Sequence, residues 1–268
     1  MAEASVPPRA PSRLPSISPV TFTLLVAFAA VFLVSLGEVG PSPERLAAGA
    51  PRMMDLVGRM LPPNVEPAFL QRMGWRILET LQIALVGTVI GVVISLPMGW
   101  LAARGISPLG AFRQLPRALI SLFRTVPDLV WALIFVSTVG LGAVAGTMTI
   151  VVDTVGFCGR FFAEAMEEAD KKPQEALRAI GASQVSVLFG ATLPSIMPTL
   201  INSSLFAFEK GVRSSVVLGL VGAGGIGQEL KVAFDLFQYR NASAIILAIF
   251  VIVLVMEYFT DRLRARFQ

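Results

Sequence analysis

The chain has 268 residues, of which 54% are apolar and 15% charged, with a mean hydropathy of +0.72. A soluble domain carries about 25% charged residues, so this much apolar surface points to lipid rather than water as the solvent. One cysteine and no histidine exclude an intrachain disulfide framework and a Cys/His zinc site. The net charge of +4 comes from arginines scattered between apolar runs, not from a nucleic-acid-binding stripe.

Residues 1–19 are rich in Pro and Ser and read as a flexible cytoplasmic tail. Val20–Leu36 is uncharged, long for a signal core and without a small-x-small cleavage site, so it reads as a retained anchor. Residues 37–76 read as a mixed polar loop. Within it Met53, Met54, Leu56, Val57, Met60 and Leu61 have rough helical spacing, which fits an interfacial amphipathic helix or a local packing helix equally.

Thr80–Ala103 is uncharged and long enough to span a bilayer. Arg104, Arg113 and Arg117 follow it and mark a cytoplasmic loop. Two spans are expected next, over 115–139 and 144–166, joined by a turn around Gly140 and Gly142. A single span over Leu129–Val152 would reverse every later loop, whereas two spans put Lys171, Lys172 and Arg178 on the side of Arg104.

Residues 167–193 form a polar, amphipathic loop. Further spans are expected over Ser195–Val221 and Asn241–Phe259, with a glycine-rich loop between them and a basic cytoplasmic tail of Arg262, Arg264 and Arg266. Six spans result, with both ends inside. Arg45, Arg52, Arg59, Arg72 and Arg76 sit against this scheme, because it places their loop outside. Cys158, in an apolar run, is expected to be buried packing.

The segment after the fourth expected span carries Glu175-Ala176-Leu177, then Gly181, then Leu193-Pro194. Pro173 suits a first helical turn, where its missing donor costs nothing, and Glu175 sits near the helix's positive end. Ala176, Leu177 and Ile180 are expected to form an apolar face, and Gly181 to end this helix so that a second begins near Ser183. This spacing resembles the cytoplasmic Glu-Ala-Ala…Gly…Ile-x-Leu-Pro loop of ABC importer permeases. It departs from that pattern at Leu177 and Ala191, both mild changes between apolar residues.

The run from Arg213 to Leu230, with Gly222, Gly224, Gly225 and Gly227, is similar to phosphonate and phosphite-type permeases. So are Arg124-Thr125-Val126-Pro127-Asp128, Asp153-Thr154-Val155-Gly156 and Arg160-Phe161-Phe162. The resemblance covers roughly residues 70–265.

It implies an all-α, polytopic bundle of about six spans, a five-helix type I permease core plus an N-terminal span. The domain organisation would be a tail over 1–19, an N-terminal span and outer loop over 20–76, and a transmembrane domain over 77–265 that includes coupling helices 173–190. It also implies a second permease chain forming a homodimer, two cytoplasmic ATP-binding subunits that hold the ATP and Mg, and an extracytoplasmic phosphonate-binding protein. Alternating access would import phosphonate, phosphite or phosphate; a methionine or other small-solute permease is the nearest alternative, and an ion-gradient-driven transporter the alternative of another class. The chain itself has no G-x-x-x-x-G-K-[ST] phosphate cradle, so no catalytic residue, cofactor or metal site is assigned to it.

Gly222, Gly224 and Gly227 satisfy G-x-G-x-x-G, but an uncharged membrane run follows where a dinucleotide fold needs an acidic residue. They are expected to form an outer turn, facing a solute-binding protein. Within the spans, Arg124, Asp128, Asp153, Arg160, Glu209 and Arg213 are candidate path residues, because ionisable groups in lipid usually face a bundle interior or a wet cavity. The other reading is paired charges that hold helices in register. Arg124/Asp128, Arg160/Glu164 and Glu209/Arg213 have the i,i+4 spacing that brings side chains together on a helix.

Overall fold

The computed structural model describes residues 18–40 and 42–266. The tail expected over 1–19 lies outside them except for Ser18 and Pro19. Every regular element among the described residues is a helix.

The chain divides into two units, residues 1–57 and 58–268. The first holds α1 (Pro19–Val39) and most of α2 (Pro43–Met60). The Ser18 hydroxyl caps α1 by accepting from the Thr21 N–H at 3.2 Å. None of α1's residues is buried, as suits a helix whose apolar side chains meet lipid.

The second unit contains α3 (Pro67–Ala102), α4 (Gln114–Thr125), α5 (Asp128–Val139), α6 (Ala143–Glu168), α7 (Lys171–Ala179), α8 (Gln184–Val187), α9 (Leu193–Gly219), α10 (Ile226–Asp235) and α11 (Tyr239–Arg264). The loop expected over 37–76 is therefore mostly helix. α3 starts 13 residues before the uncharged run, because Phe69, Met73 and Ile77 recur on one face and pack with Ile226, Ala233 and Ile245 of α10 and α11.

The centre of the unit is the contact of α3 with α6. Gly87, Gly91, Ser95 and Gly99 recur every four residues on α3, so they line one helix face. A Cβ at Gly87 would lie 2.6 Å from the Ile150 Cβ, one at Gly91 2.5 Å from that of Thr154, and one at Gly99 2.9 Å from that of Phe162. Between them the Ser95 hydroxyl donates to the Gly91 carbonyl at 2.7 Å. Small residues let two membrane helices approach closely, and larger side chains on α6 fill the space. Cys158, fully buried on α6, is packing as expected.

The expected span over 115–139 is broken. α4 and α5 meet at a bend of 93°. Pro127 lacks an N–H and its ring forces Val126 out of the helical region, to ψ 122°. Five helices are long and apolar enough to cross a membrane, or six if the bent pair is one span. α8, a π turn (Leu188–Thr192) and α9 run on as one of them.

The glycine turn between α9 and α10 is buried, not presented at a surface. Gly222, Gly224 and Gly225 have φ of 91°, 84° and 74°, values that glycine adopts without strain. Thr80 of α3 holds the turn, its hydroxyl accepting from the Ile226 N–H at 2.8 Å. The expected contact of these four glycines with a binding protein is therefore corrected: they are a packing joint between α3, α6 and α10. No strand precedes the turn among the described residues, so no dinucleotide fold is formed.

Gly87→Ala and Gly91→Ala should each destabilise the folded protein by about 1–3 kcal/mol, the cost of overpacking a tight core. Gly74→Ala, on the same helix with nothing within 4 Å, should be neutral or stabilising by up to about 1 kcal/mol. Thermal unfolding in detergent checks the contrast; equal loss in all three would contradict the close α3–α6 approach as its cause.

Candidate functional site

Two regions carry the candidate residues. The first is the segment α7–α8 with the π turn. The Asp170 carboxylate opens α7 by accepting from the Lys172 N–H at 3.0 Å, and Pro173 lies in the first turn. Gly181, at φ 83°, ends it: the Gly181 N–H donates to the Arg178 carbonyl and the Ala182 N–H to that of Leu177, each at 3.0 Å. Ser183 then caps α8, accepting from the Ser186 N–H at 3.2 Å. The two-helix form read from the spacing of Glu175, Gly181 and Leu193 is present.

The face is not as expected. Leu177 is half-buried over Gly190, while Ala176 is exposed and Ile180 is 80% exposed. Val185 and Phe189 are also exposed, so the exposed large apolar side chains of this segment are Ile180, Val185 and Phe189. Phe189 went unnoticed because it lies in the π turn, where a 3.6-residue repeat gives the wrong face. Glu175 is exposed at the wall of a 410 Å³ cavity whose other walls include Arg104, Met166, Glu167, Gln174 and Arg178.

Glu167, at the end of α6, fixes the base of this segment. It pairs with Arg117 of α4 at 3.1 Å and accepts from the Arg104 backbone N–H at 2.9 Å. Leu193 packs against the core around Phe162. Pro194 follows in the first turn of α9, beside the π turn. A proline ring crowds the carbonyl four residues back, and the wider π turn makes room for it. α8 and the π turn thus run without a break into a membrane-length helix.

The second region is a charged belt across α6, α9 and the end of α11. Asp153 pairs with Lys210 at 2.6 Å. The Glu209 Oε1 accepts from Arg213 at 2.8 Å and its Oε2 from Arg264 at 2.9 Å. Phe157 and Phe206 stack at 5.4 Å between these pairs, with Lys210 over Phe157 at 5.6 Å and Arg264 over Phe206 at 5.7 Å. Glu209 is buried, whereas the Arg213 side chain is 49% exposed. Arg160 pairs with Glu164 on the open side of α6.

Arg124 and Asp128 do not pair, which corrects the expectation from their spacing. The break at Pro127 puts them on different helices; Asp128 instead accepts from the Leu129 N–H at 3.0 Å, and exposed Arg124 lines a 310 Å³ cavity with Arg160. Arg264 was placed in a basic tail, because the apolar run stops at Phe259. α11 continues to Arg264, and its partner Glu209 lies on another helix, so no local repeat signals the pair. Arg76, unexplained in the sequence, pairs with Glu79 at 2.8 Å and approaches Glu229 to 3.8 Å.

Comparison with known proteins agrees with this geometry. Residues 95–268 match the family described as binding-protein-dependent transport system inner membrane component. A phosphate-import permease protein, PhnE, of Mycolicibacterium smegmatis is 40% identical over 208 residues, 78% of this chain but 39% of that protein, so the chain spans well under half of that relative's length. A phosphite transport system permease protein, PtxC, of Stutzerimonas stutzeri is 37% identical over 228 residues, 83% of this chain and 80% of that one. Among solved structures, an inward-facing form of the MetNI methionine ABC transporter contains a chain 25% identical to this one. It superposes with a TM-score of 0.65 over 76% of this chain and 100% of that chain. The protein is a multi-pass inner-membrane permease and belongs to the family of binding-protein-dependent transport system inner membrane components.

Proposed function

We propose that this chain is the membrane subunit through which a phosphorus oxyanion (phosphonate, phosphite or phosphate) is imported, driven by a separate ATPase. The observation that carries the reading is the charged belt. Arginine and lysine side chains stand within otherwise apolar spans, and Arg213 is half open. Ionisable groups are costly there unless they serve a path or a partner, and a basic lining lowers the barrier to an anion. The phosphate and phosphite permeases to which the chain is similar support the same substrate class.

The exposed apolar side chains Ile180, Val185 and Phe189, in the same segment as Glu175, are the surface on which the ATPase docks. Apolar anchors of this kind supply most of the binding energy at an interface. The ATPase holds the ATP and Mg, and this chain supplies the lever. Closure of two ATPase subunits pulls α7 and α8, the continuous α8–α9 rod carries the pull into the span, and a pair of permease chains exchanges inward-open for outward-open states. ATP shifts that equilibrium by binding the two states unequally. The segment 171–192 and both chain termini lie on the cytoplasmic side, and a binding protein delivers the solute at the opposite face. The broken α4–α5 span is a feature shared with ion-gradient transporters, but family membership and the ATPase-facing loop favour an ATP-driven importer.

Proteoliposomes carrying the permease, its ATPase and its binding protein should take up radiolabelled phosphite or methylphosphonate only with ATP, and excess oxyanion should block this while methionine does not. ATP-dependent uptake of methionine instead would discard the substrate class. Gly181→Pro, which no proline can satisfy at φ 83°, should cut uptake by roughly 5- to 150-fold, the range of an ordinary coupling energy, in a chain that still inserts. Phe189→Asp should weaken ATPase co-purification by a similar factor, and unchanged co-purification would remove Phe189 from the docking surface.

A further inference from the structure

Arg213 and Arg264 share one carboxylate but are held very differently. Arg264 has three supports: the Glu209 Oε2 at 2.9 Å, Asp261 one turn back at 3.3 Å, and the Phe206 ring beneath its guanidinium. Arg213 has one ion-pair partner among the described residues, the Glu209 Oε1 at 2.8 Å, and its side chain is half exposed. Glu209 itself is buried. Stripping a buried carboxylate of its only cation leaves an uncompensated charge in a medium of low polarity, which is strongly unfavourable. With Arg264 on its second oxygen, Glu209 stays paired when Arg213 leaves.

We propose that Glu209 and Arg264 form a hand-over device that makes Arg213 the releasable ligand for a tetrahedral phosphorus oxyanion in transit. The inference rests on the oxyanion-importer reading above. An incoming oxyanion offers Arg213 the fork-to-oxygen contacts that guanidinium groups form with phosphate. Arg213 swings from Glu209 to the anion while Arg264 keeps Glu209 neutralised. When the anion moves on, Arg213 returns to Glu209. Sharing Glu209 between two arginines thus lowers the cost of freeing Arg213 for the anion. Arg264 is a positioning residue, since it acts through Glu209 and not on the solute. Its contribution follows from α11 reaching α9 so late in the chain.

The test uses the reconstituted importer, with ATPase and binding protein, and measures the maximal rate of phosphite uptake together with ATPase activity. Arg213→Ala should lower uptake by about tenfold or more, because its guanidinium is the ligand. Arg264→Gln should also lower uptake by about tenfold, because Glu209 then holds Arg213 as its sole cation. Arg264→Lys should stay within about threefold of the wild type, since it preserves the charge. The decisive variant is the double change Glu209→Gln with Arg264→Gln. With no carboxylate to compete for Arg213, uptake should recover to within about threefold of the wild type.

Uptake is expressed per assembled complex. A merely structural role for Arg264 predicts loss of assembled complex in Arg264→Gln and its return in the double variant, with uptake per assembled complex unchanged in both, and that result overturns the proposal. If Arg264→Gln does not assemble, Arg213→Ala decides: a loss of about tenfold in uptake per assembled complex supports the proposal, and uptake that survives overturns it. A wild-type complex that moves no phosphorus oxyanion would refute the substrate class itself. Wild-type uptake that survives Arg213→Ala would refute this inference alone.

Discussion

The close approach of α3 to α6 is the constraint on which the rest of the structure depends. Four small residues spaced by four give α3 a flat face, and Ile150, Thr154 and Phe162 occupy it at distances that leave no room for a Cβ. In lipid, apolar surface gains little by leaving its solvent, so helix association leans on contact area and on the hydrogen bonds such proximity allows. Once α3 and α6 are fixed, Gly156 and Gly159 on another face of α6 admit Phe123 and Ile120 of α4. Inside α3, Thr80 holds the buried glycine turn and so sets where α10 begins. Past the C-terminal end of α3, Glu167 of α6 secures the following loop.

The charged groups of the spans follow from the same frame. Asp153 is carried by α6, Glu209, Lys210 and Arg213 by α9, and Arg264 by α11, and they meet because those three helices are packed side by side. Each ion pair offsets part of the desolvation of its members, and the stacked Phe157 and Phe206 rings add cation–π contacts to two of them. Glu209 divides its oxygens between a well-braced arginine, Arg264, and a half-open one, Arg213.

The segment from Lys171 to Thr192 shows how a short motif fixes backbone geometry. Glycine at position 181 turns the chain back, serine at 183 starts the next helix, and proline at 194 is tolerated because a π turn precedes it. The result is an unbroken helical run from α8 through the π turn into α9, with no loop between them.

Much of this was legible in the residues themselves. Uncharged runs identified α1, the membrane part of α3 and most of α11, and apolar runs broken by a few charges identified α6 and α9, because lipid forces the backbone to satisfy itself within a helix. The Glu175…Gly181…Leu193-Pro194 spacing located the two short helices, since glycine, serine and proline act through local backbone geometry. What the sequence could not reveal depends on partners far along the chain. The first turns of α3 looked like a polar loop until Phe69, Met73 and Ile77 were seen to pack on α10 and α11. The turn at Gly222–Gly227 looked external until Thr80 and Leu141 closed over it. Arg124 and Asp128 had the right spacing to pair but lost it to one proline, while Glu209 and Arg264, 55 residues apart, were joined. Local chemistry determined which segments are helices and which charges pair along one helix, Arg160 with Glu164 and Glu209 with Arg213; only tertiary packing decided which charges meet between helices, Asp153 with Lys210 and Glu209 with Arg264, because that requires three helices at once.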